Sequence, residues 1–91
     1  MSFLAYAVHY PAPENERQVI DAMRGFAELV RKQRGVSFVD LFKNEDDGTI
    51  VSVTLWESRE LFQTGWAELV KHAPADEWEL RPRQGYALNS V

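Results

Sequence analysis

A segment near the start of the chain is apolar on both of its alternating faces, and this feature restricts the possible folds most strongly. In residues 2–10, SFLAYAVHY, Phe3 and Ala7 share one face while Leu4 lies on the other. A strand of this kind needs a covering layer on each side of its sheet. Residues 50–56, IVSVTLW, are also apolar on both faces. We therefore expect both faces of the sheet to be covered.

Capping residues and apolar periodicity predict two helices. The first begins near Asn15, whose side chain has the spacing of a capping box with Gln18, and Gly35 supplies its left-handed C-cap. Its buried stripe recurs every three or four positions and consists of Val19, Met23, Phe26, Ala27 and Val30. Ser58 is the N-cap of the second helix, which Pro74 ends. Each helix therefore has one apolar face to bury.

The remaining segments are strands, and the order of the elements indicates the fold class. Residues 36–43 and 50–56 flank a short polar loop and predict a hairpin, and residues 84–90 form the last strand. The order strand, helix, strand, strand, helix, strand is the split βαβ arrangement. We predict one α+β domain over residues 1–91, with a ferredoxin-like, four-stranded antiparallel sheet and both helices on one face.

The second face of this sheet needs a cover that one chain does not provide. After the two helices and four strands are assigned, no element remains for it. Because large exposed apolar surfaces mark interaction sites, we expect a homodimer that packs open sheet face against open sheet face into a dimeric α+β barrel. A partner would also stabilise a chain of only 91 residues.

Composition excludes several functions that use the same topology. The chain has no cysteine and two histidines, which excludes thiolate catalysis and Cys-ligated metal or iron–sulfur sites. A net charge of −4 and the absence of an RNA-recognition signature on the third strand argue against nucleic-acid binding. The apolar runs are too short to span a membrane and the start lacks a signal peptide, so we expect no membrane partner and a cytoplasmic location.

Residues 50–66 resemble the antibiotic biosynthesis monooxygenase family. The similarity lies in a β-branched strand that ends in Trp56 and is followed by Glu57 and Ser58 at the start of a helix. Enzymes of this family oxidise polycyclic phenols, anthrones or quinols with molecular oxygen, without metal or flavin, in a pocket between helices and sheet. The resemblance therefore implies a dimeric barrel, no cofactor and no metal, and a monooxygenase-like activity on a flat aromatic phenol or quinol.

The resemblance also nominates site residues. Trp56 matches the family tryptophan, Ser52 stands at a polar position where an oxygenase of the family has Asn, and Phe62 stands where that enzyme has a tyrosine. Both departures remove a hydrogen-bonding group. We predict that the substrate contacts Tyr6, Ser52, Trp56, Phe62 and Trp66. His9 is the candidate catalytic base, because histidine titrates near neutral pH.

Each nominated residue also has a structural interpretation. Trp56 and Trp66 suit a small core, which large aromatics dominate, and His9 suits a strand end or an interface. Tyr6 suits either the pocket or the dimer. The alternative function is therefore a non-enzymatic ligand-binding or structural homodimer of the same fold.

Two arginines near the C-terminus leave a further alternative open. Arg81 and Arg83 flank Pro82 and follow three acidic residues, Asp76, Glu77 and Glu79. They either bind an anionic ligand at the mouth of the pocket or balance these neighbouring charges on the surface, which is the more common arrangement.

Overall fold

One four-stranded sheet and two helices make up the computed structural model, which describes residues 2–91. The elements are β1 (Phe3–His9), α1 (Glu16–Arg31), β2 (Val36–Lys43), β3 (Ile50–Trp56), α2 (Arg59–Leu69) and β4 (Gln84–Asn89), with short 3₁₀ turns at Pro13–Asn15 and Val70–His72. All neighbouring strands are antiparallel and their order is β2-β3-β1-β4. The predicted ferredoxin-like α+β fold is confirmed.

The inner face of the sheet carries the core. On this face Phe3 pairs with Trp56 and His9 pairs with Ile50, and all four side chains are buried. The predicted stripe of α1 packs above them and is buried throughout: Val19, Met23, Phe26, Ala27 and Val30. Apolar periodicity therefore identified correctly the surface by which α1 joins the core.

The opposite face, here called the open face, is almost as apolar. Strand alternation and the register of the pairs assign ten apolar side chains to it: Leu4, Tyr6, Val8, Phe38, Phe42, Val51, Val53, Leu55, Tyr86 and Leu88. Phe42 and Leu88 are 50% and 51% exposed, respectively. Apolar residues on both faces of β1 and β3 were the feature from which a second layer was predicted.

The predicted start of α1 near Asn15 is confirmed, but the predicted side-chain cap is wrong. The side chain of Asn15 makes no capping hydrogen bond, so the capping box with Gln18 does not form. A 3₁₀ turn that begins at Pro13 runs directly into the helix at Glu16. Because this turn places Asn15 at φ −115° and ψ 11°, the residue lacks the extended backbone that a capping side chain requires.

Gly35 has the left-handed backbone that was predicted, with φ +92°, but it does not cap α1. The helix ends at Arg31, and Gly35 lies in the following turn, where its carbonyl accepts a hydrogen bond from the Glu57 amide at 2.8 Å. The glycine therefore joins the start of β2 to the end of β3. The cap of α2 is as predicted, because the Ser58 hydroxyl accepts from the Leu61 amide at 3.2 Å.

Candidate active site

A cavity of about 440 Å³ lies between the helices and the inner face of the sheet, and all four strands line it. On β1 and β4 its floor consists of small residues, Ala5, Ala7, Gly85 and Ala87, and β2 and β3 add Val39, Leu41, Ser52 and Thr54. Its walls are large and apolar, with Met23 and Phe26 from α1 and Phe62 and Trp66 from α2. The volume lies within the range of sites that bind small organic molecules.

Three polar side chains that line this cavity belong to one connected group, which Glu79 completes. Ser52 Oγ lies 3.3 Å from Nε2 of His9, on the neighbouring strand. Nδ1 of His9 lies 3.5 Å from Oε2 of Glu79, and Arg83 Nη2 donates to the same oxygen at 2.7 Å. His9, Ser52 and Arg83 line the cavity. A histidine base is thus held between a hydroxyl and a carboxylate.

Glu79 reaches this group because its segment pairs with the chain after β1. The Leu80 amide donates to the Tyr10 carbonyl at 2.7 Å, and the Ala12 amide donates to the Trp78 carbonyl at 2.9 Å. The Tyr10 amide in turn donates to Oε1 of Glu79 at 3.0 Å. These bonds hold the Glu79 side chain at 2% exposure, so that the carboxylate enters the interior from a segment without regular structure.

His9 is 1% exposed, and its surroundings affect its pKa in opposite directions. Burial is the largest influence and lowers the pKa below the ordinary 6.5, because the charged imidazolium is poorly solvated there. The Glu79 carboxylate opposes this change and the Arg83 guanidinium adds to it. The net lowering keeps His9 neutral at pH 7, which is the form that accepts a proton.

Two of the predicted substrate-binding aromatics line the cavity together. The rings of Phe62 and Trp66 stack with centroids 5.9 Å apart and an interplanar angle of 16°, and Phe26 meets Trp66 edge-on at 5.9 Å. Trp66 is 37% exposed, so the interpretation as a fully buried core residue does not hold for it. The two rings are therefore nearly parallel where they line the cavity.

Trp56 and Tyr6 lie differently. Trp56 is 1% exposed in the core, outside the cavity lining, where it packs edge-on against Phe62 and donates from Nε1 to Thr54 Oγ1 at 2.9 Å. Tyr6 borders the cavity, but strand alternation directs its side chain to the open face, where it stacks on Tyr86 at 4.8 Å. Neither aromatic ring faces the same space as His9 and Ser52.

The family model for antibiotic biosynthesis monooxygenases matches residues 2–69. The chain belongs to this family. Similar folds occur in Rv0793 from Mycobacterium tuberculosis (17% identity, TM-score 0.81, 100% of this chain and 96% of that chain) and in a variant of SnoaB, a cofactor-independent oxygenase from Streptomyces nogalater (14% identity, TM-score 0.83, 98% and 92%). At these identities the two structures establish the shared fold alone. A search of curated proteins gives no match.

Residues 2–91 contain neither a candidate metal site nor a helix suited to a membrane. That part of the chain holds no group of three or more His, Asp or Glu side chains placed to hold a metal ion. Its helices are too short or too polar to cross a membrane.

Glu79 and Arg83 are the site residues that sequence reasoning misjudged. Both lie beyond the part of the chain that matches the monooxygenase family model. Of the two arginines and three acidic residues considered together, Arg83 and Glu79 form an ion pair, and the Glu79 carboxylate in it is buried beside the cavity and not on the surface. Arg81 instead stacks its guanidinium 3.9 Å above the ring of Tyr10. The available signal was His9 itself, because a histidine on the buried face of a strand requires a buried polar partner.

Proposed function

We propose that the protein is a cofactor-independent monooxygenase that acts on a flat aromatic phenol or quinol bound in the cavity. The observation that carries this proposal is a neutral, buried His9 at the polar end of a cavity whose walls are otherwise apolar. Membership of the monooxygenase family and the fold shared with SnoaB support it.

The chemistry begins with removal of a proton by His9. A phenol or the enol of an anthrone gives its proton to Nε2, directly or through the Ser52 hydroxyl at 3.3 Å. The resulting anion is electron-rich and is the form that reacts with molecular oxygen. Apolar walls exclude water, and the stacked rings of Phe62 and Trp66 hold the planar anion.

Oxygen is the co-substrate and the oxidant. With an anthrone, the anion and O₂ form a carbon–oxygen bond, the protonated His9 returns its proton to the peroxide, and the hydroperoxide loses water to leave a carbonyl group. The sum is R₂CH₂ + O₂ → R₂C=O + H₂O. The O–O bond breaks and the ring carbon is oxidised, so the balance needs no metal, flavin or external reductant.

Oxygen uptake with 1,8-dihydroxyanthrone and with a naphthohydroquinone tests this function. We expect consumption above the spontaneous rate, and a loss of roughly 10²- to 10⁴-fold in kcat for His9→Gln, which is the usual contribution of a general base. His72→Gln is the matched control, because His72 is exposed in the turn after α2 and lies outside the cavity lining. Equal rates for wild type and His9→Gln would contradict the proposal.

A non-enzymatic ligand-binding role is the second candidate, and Phe62 favours it. This side chain lines the cavity without a hydroxyl to stabilise a substrate anion. A pure binding protein would be stabilised by the same anthrones and quinols, by about 2.7 kcal/mol at 100 times the dissociation constant, while oxygen uptake stays at background. Thermal shift and oxygen uptake on one ligand series therefore separate the two functions.

We also propose that two copies pair through the open face. Ten apolar side chains with exposures up to 51% make this face unfavourable in water, and a second copy presents a surface of the same shape. Light scattering at micromolar concentration should give twice the chain mass of 10.5 kDa. Phe42→Lys should yield monomer, whereas Leu80→Lys, on an exposed residue outside the open face, should not. A monomeric wild type would contradict the pairing.

A further inference from the structure

Glu79 is held in place at both carboxylate oxygens. Oε1 accepts from the Tyr10 amide at 3.0 Å and Oε2 accepts from Arg83 Nη2 at 2.7 Å. The side chain is 2% exposed, while that of Arg83 is 25% exposed. A buried carboxylate that accepts from two such donors is held at a fixed position.

The third neighbour of this carboxylate is the imidazole of His9. Oε2 of Glu79 lies 3.5 Å from Nδ1. Nδ1 makes no hydrogen bond, and among residues 2–91 it is the only buried side-chain nitrogen or oxygen of which this is true. A carboxylate oxygen only accepts hydrogen bonds, so a lone pair on Nδ1 would face it unfavourably. A proton on Nδ1 makes the contact favourable, and such contacts commonly shorten when substrate binds.

The other ring nitrogen then has a defined role. With the proton on Nδ1, neutral His9 carries its lone pair on Nε2, which lies 3.3 Å from the Ser52 hydroxyl. The hydroxyl donates to this lone pair and also lines the cavity. A proton from a ligand therefore has a short route through Ser52 to the base.

We propose that Glu79 is the positioning residue of the site: it keeps the proton of neutral His9 on Nδ1, so that the Nε2 lone pair points to Ser52 and the cavity. Arg83 holds the Glu79 carboxylate in the position that this requires. The tautomer stands on the geometry alone, whereas its catalytic consequence rests on the proposed oxygenase function. The charged groups that act on His9 are Glu79 and Arg83. β3 contributes the neutral Ser52, and the helices contribute the apolar walls of the cavity.

Nitrogen-15 NMR of the histidine side chains tests the tautomer without any substrate. In the wild type above the pKa of His9, we expect a protonated, pyrrole-type Nδ1 and an unprotonated, pyridine-type Nε2. In Glu79→Ala the proton should move to Nε2, the tautomer that free histidine prefers. A pyridine-type Nδ1 in the wild type would overturn the proposal, as would an unchanged tautomer in folded Glu79→Ala. The wild-type spectrum decides the question even where that variant fails to fold.

Glu79→Gln separates charge from shape. With its amide oxygen in the place of Oε2, the glutamine still accepts from Nδ1 and from Arg83, so the tautomer is expected to persist, while its NH₂ group takes the place of the acceptor of the Tyr10 amide. The loss of negative charge lowers the pKa of His9 further. The acid limb of kcat/KM against pH should therefore move to lower pH. We also expect kcat to fall by about 10- to 100-fold, part of the contribution of a general base, with KM unchanged.

Glu77→Gln is the matched control, because Glu77 is exposed on the same segment, and it should leave the His9 spectrum and the pH profile unchanged. A His9 pKa that is the same in wild type and Glu79→Gln would contradict the positioning role. If the wild type shows the Nδ1–H tautomer but no oxygen uptake above background, the oxygenase function fails and the assignment of Glu79 stands.

Discussion

Replacing Gly65 with alanine is expected to destabilise the protein, although alanine is the better helix former. Gly65 is buried in the middle of α2, and a Cβ atom there would lie 2.8 Å from two ring carbons of Trp56, Cη2 and Cζ3. Carbon atoms pack best at about 3.5 to 4.0 Å. The Trp56 ring is 1% exposed and its Nε1 donates to Thr54, so it has little room to move away from the new atom.

The expected change in the free energy of unfolding of Gly65→Ala is the sum of two opposing contributions. Alanine favours the helical backbone by about 0.8 to 1.0 kcal/mol over glycine. Inserting a methyl group into a packed core costs about 1 to 3 kcal/mol. The net change in the free energy of unfolding for Gly65→Ala is therefore a loss of up to about 2 kcal/mol.

The chain provides a matched control in Gly25→Ala. Gly25 is an exposed residue inside α1, and a Cβ atom there would have no atom within 4 Å apart from its chain neighbours and the backbone of its own helix. In Gly25→Ala the alanine favours the helix without a steric clash, so the free energy of unfolding should rise by about 1 kcal/mol. The difference between the two variants isolates the cost of overpacking against Trp56, about 1 to 3 kcal/mol.

Urea unfolding of wild type and both variants measures these free energies. All samples need the same protein concentration, because the proposed dimer would contribute to the apparent stability. Thermal midpoints provide a second measure, since 1 kcal/mol moves the midpoint of a domain of this size by about 4 to 8 °C. If Gly65→Ala stabilises the protein as much as Gly25→Ala does, the Trp56 ring yields and the packing argument is refuted.

Two other variants test the cap of α2 and the buried histidine. Ser58→Ala removes the hydroxyl that accepts from Leu61 and should cost about 0.5 to 2 kcal/mol in urea unfolding; an unchanged midpoint would show that the cap contributes nothing. Because the folded pKa of His9 lies below 6.5, the unfolded chain binds the proton more tightly, and stability should fall as pH drops from about 6.5 toward the folded pKa. In His9→Gln the free energy of unfolding should depend less on pH in this range. If it falls as steeply as in the wild type, other groups cause the pH dependence.

The order of the elements and the buried face of α1 were predictable because both depend on local periodicity. Apolar residues that repeat every three or four positions lie on one face of a helix, and that face packs against the core. The five predicted residues are buried. The ends of α1 were less predictable. Asn15 has the right side chain for a cap, but the turn that begins at Pro13 controls its backbone, and Gly35 serves the junction of β2 and β3 instead of the helix end.

The polar group around His9 was predictable only in part. His9 and Ser52 lie on strands whose pairing the fold class implies, so their proximity follows from topology and register. Glu79 is 70 positions from His9 and sits among exposed acidic residues of an irregular segment. Its burial depends on the bonds between residues 78–80 and 10–12, and no periodic pattern in the sequence encodes them.

The cavity and its base arise from the same strand register. Ala7 pairs with Gly85 on one side and with Ser52 on the other, so β4, β1 and β3 carry only small side chains at this level, and Leu41 of β2 ends the row. His9 follows Ala7 by two residues and therefore shares its face, at the edge of the space that the small residues leave. A slip of β1 by one residue would move both residues to the open face and bring Tyr6 and Val8 inward. The register that buries Phe3 against Trp56 thus fixes the floor of the cavity and the position of its base together, which explains how a chain of 91 residues combines a core with an internal site.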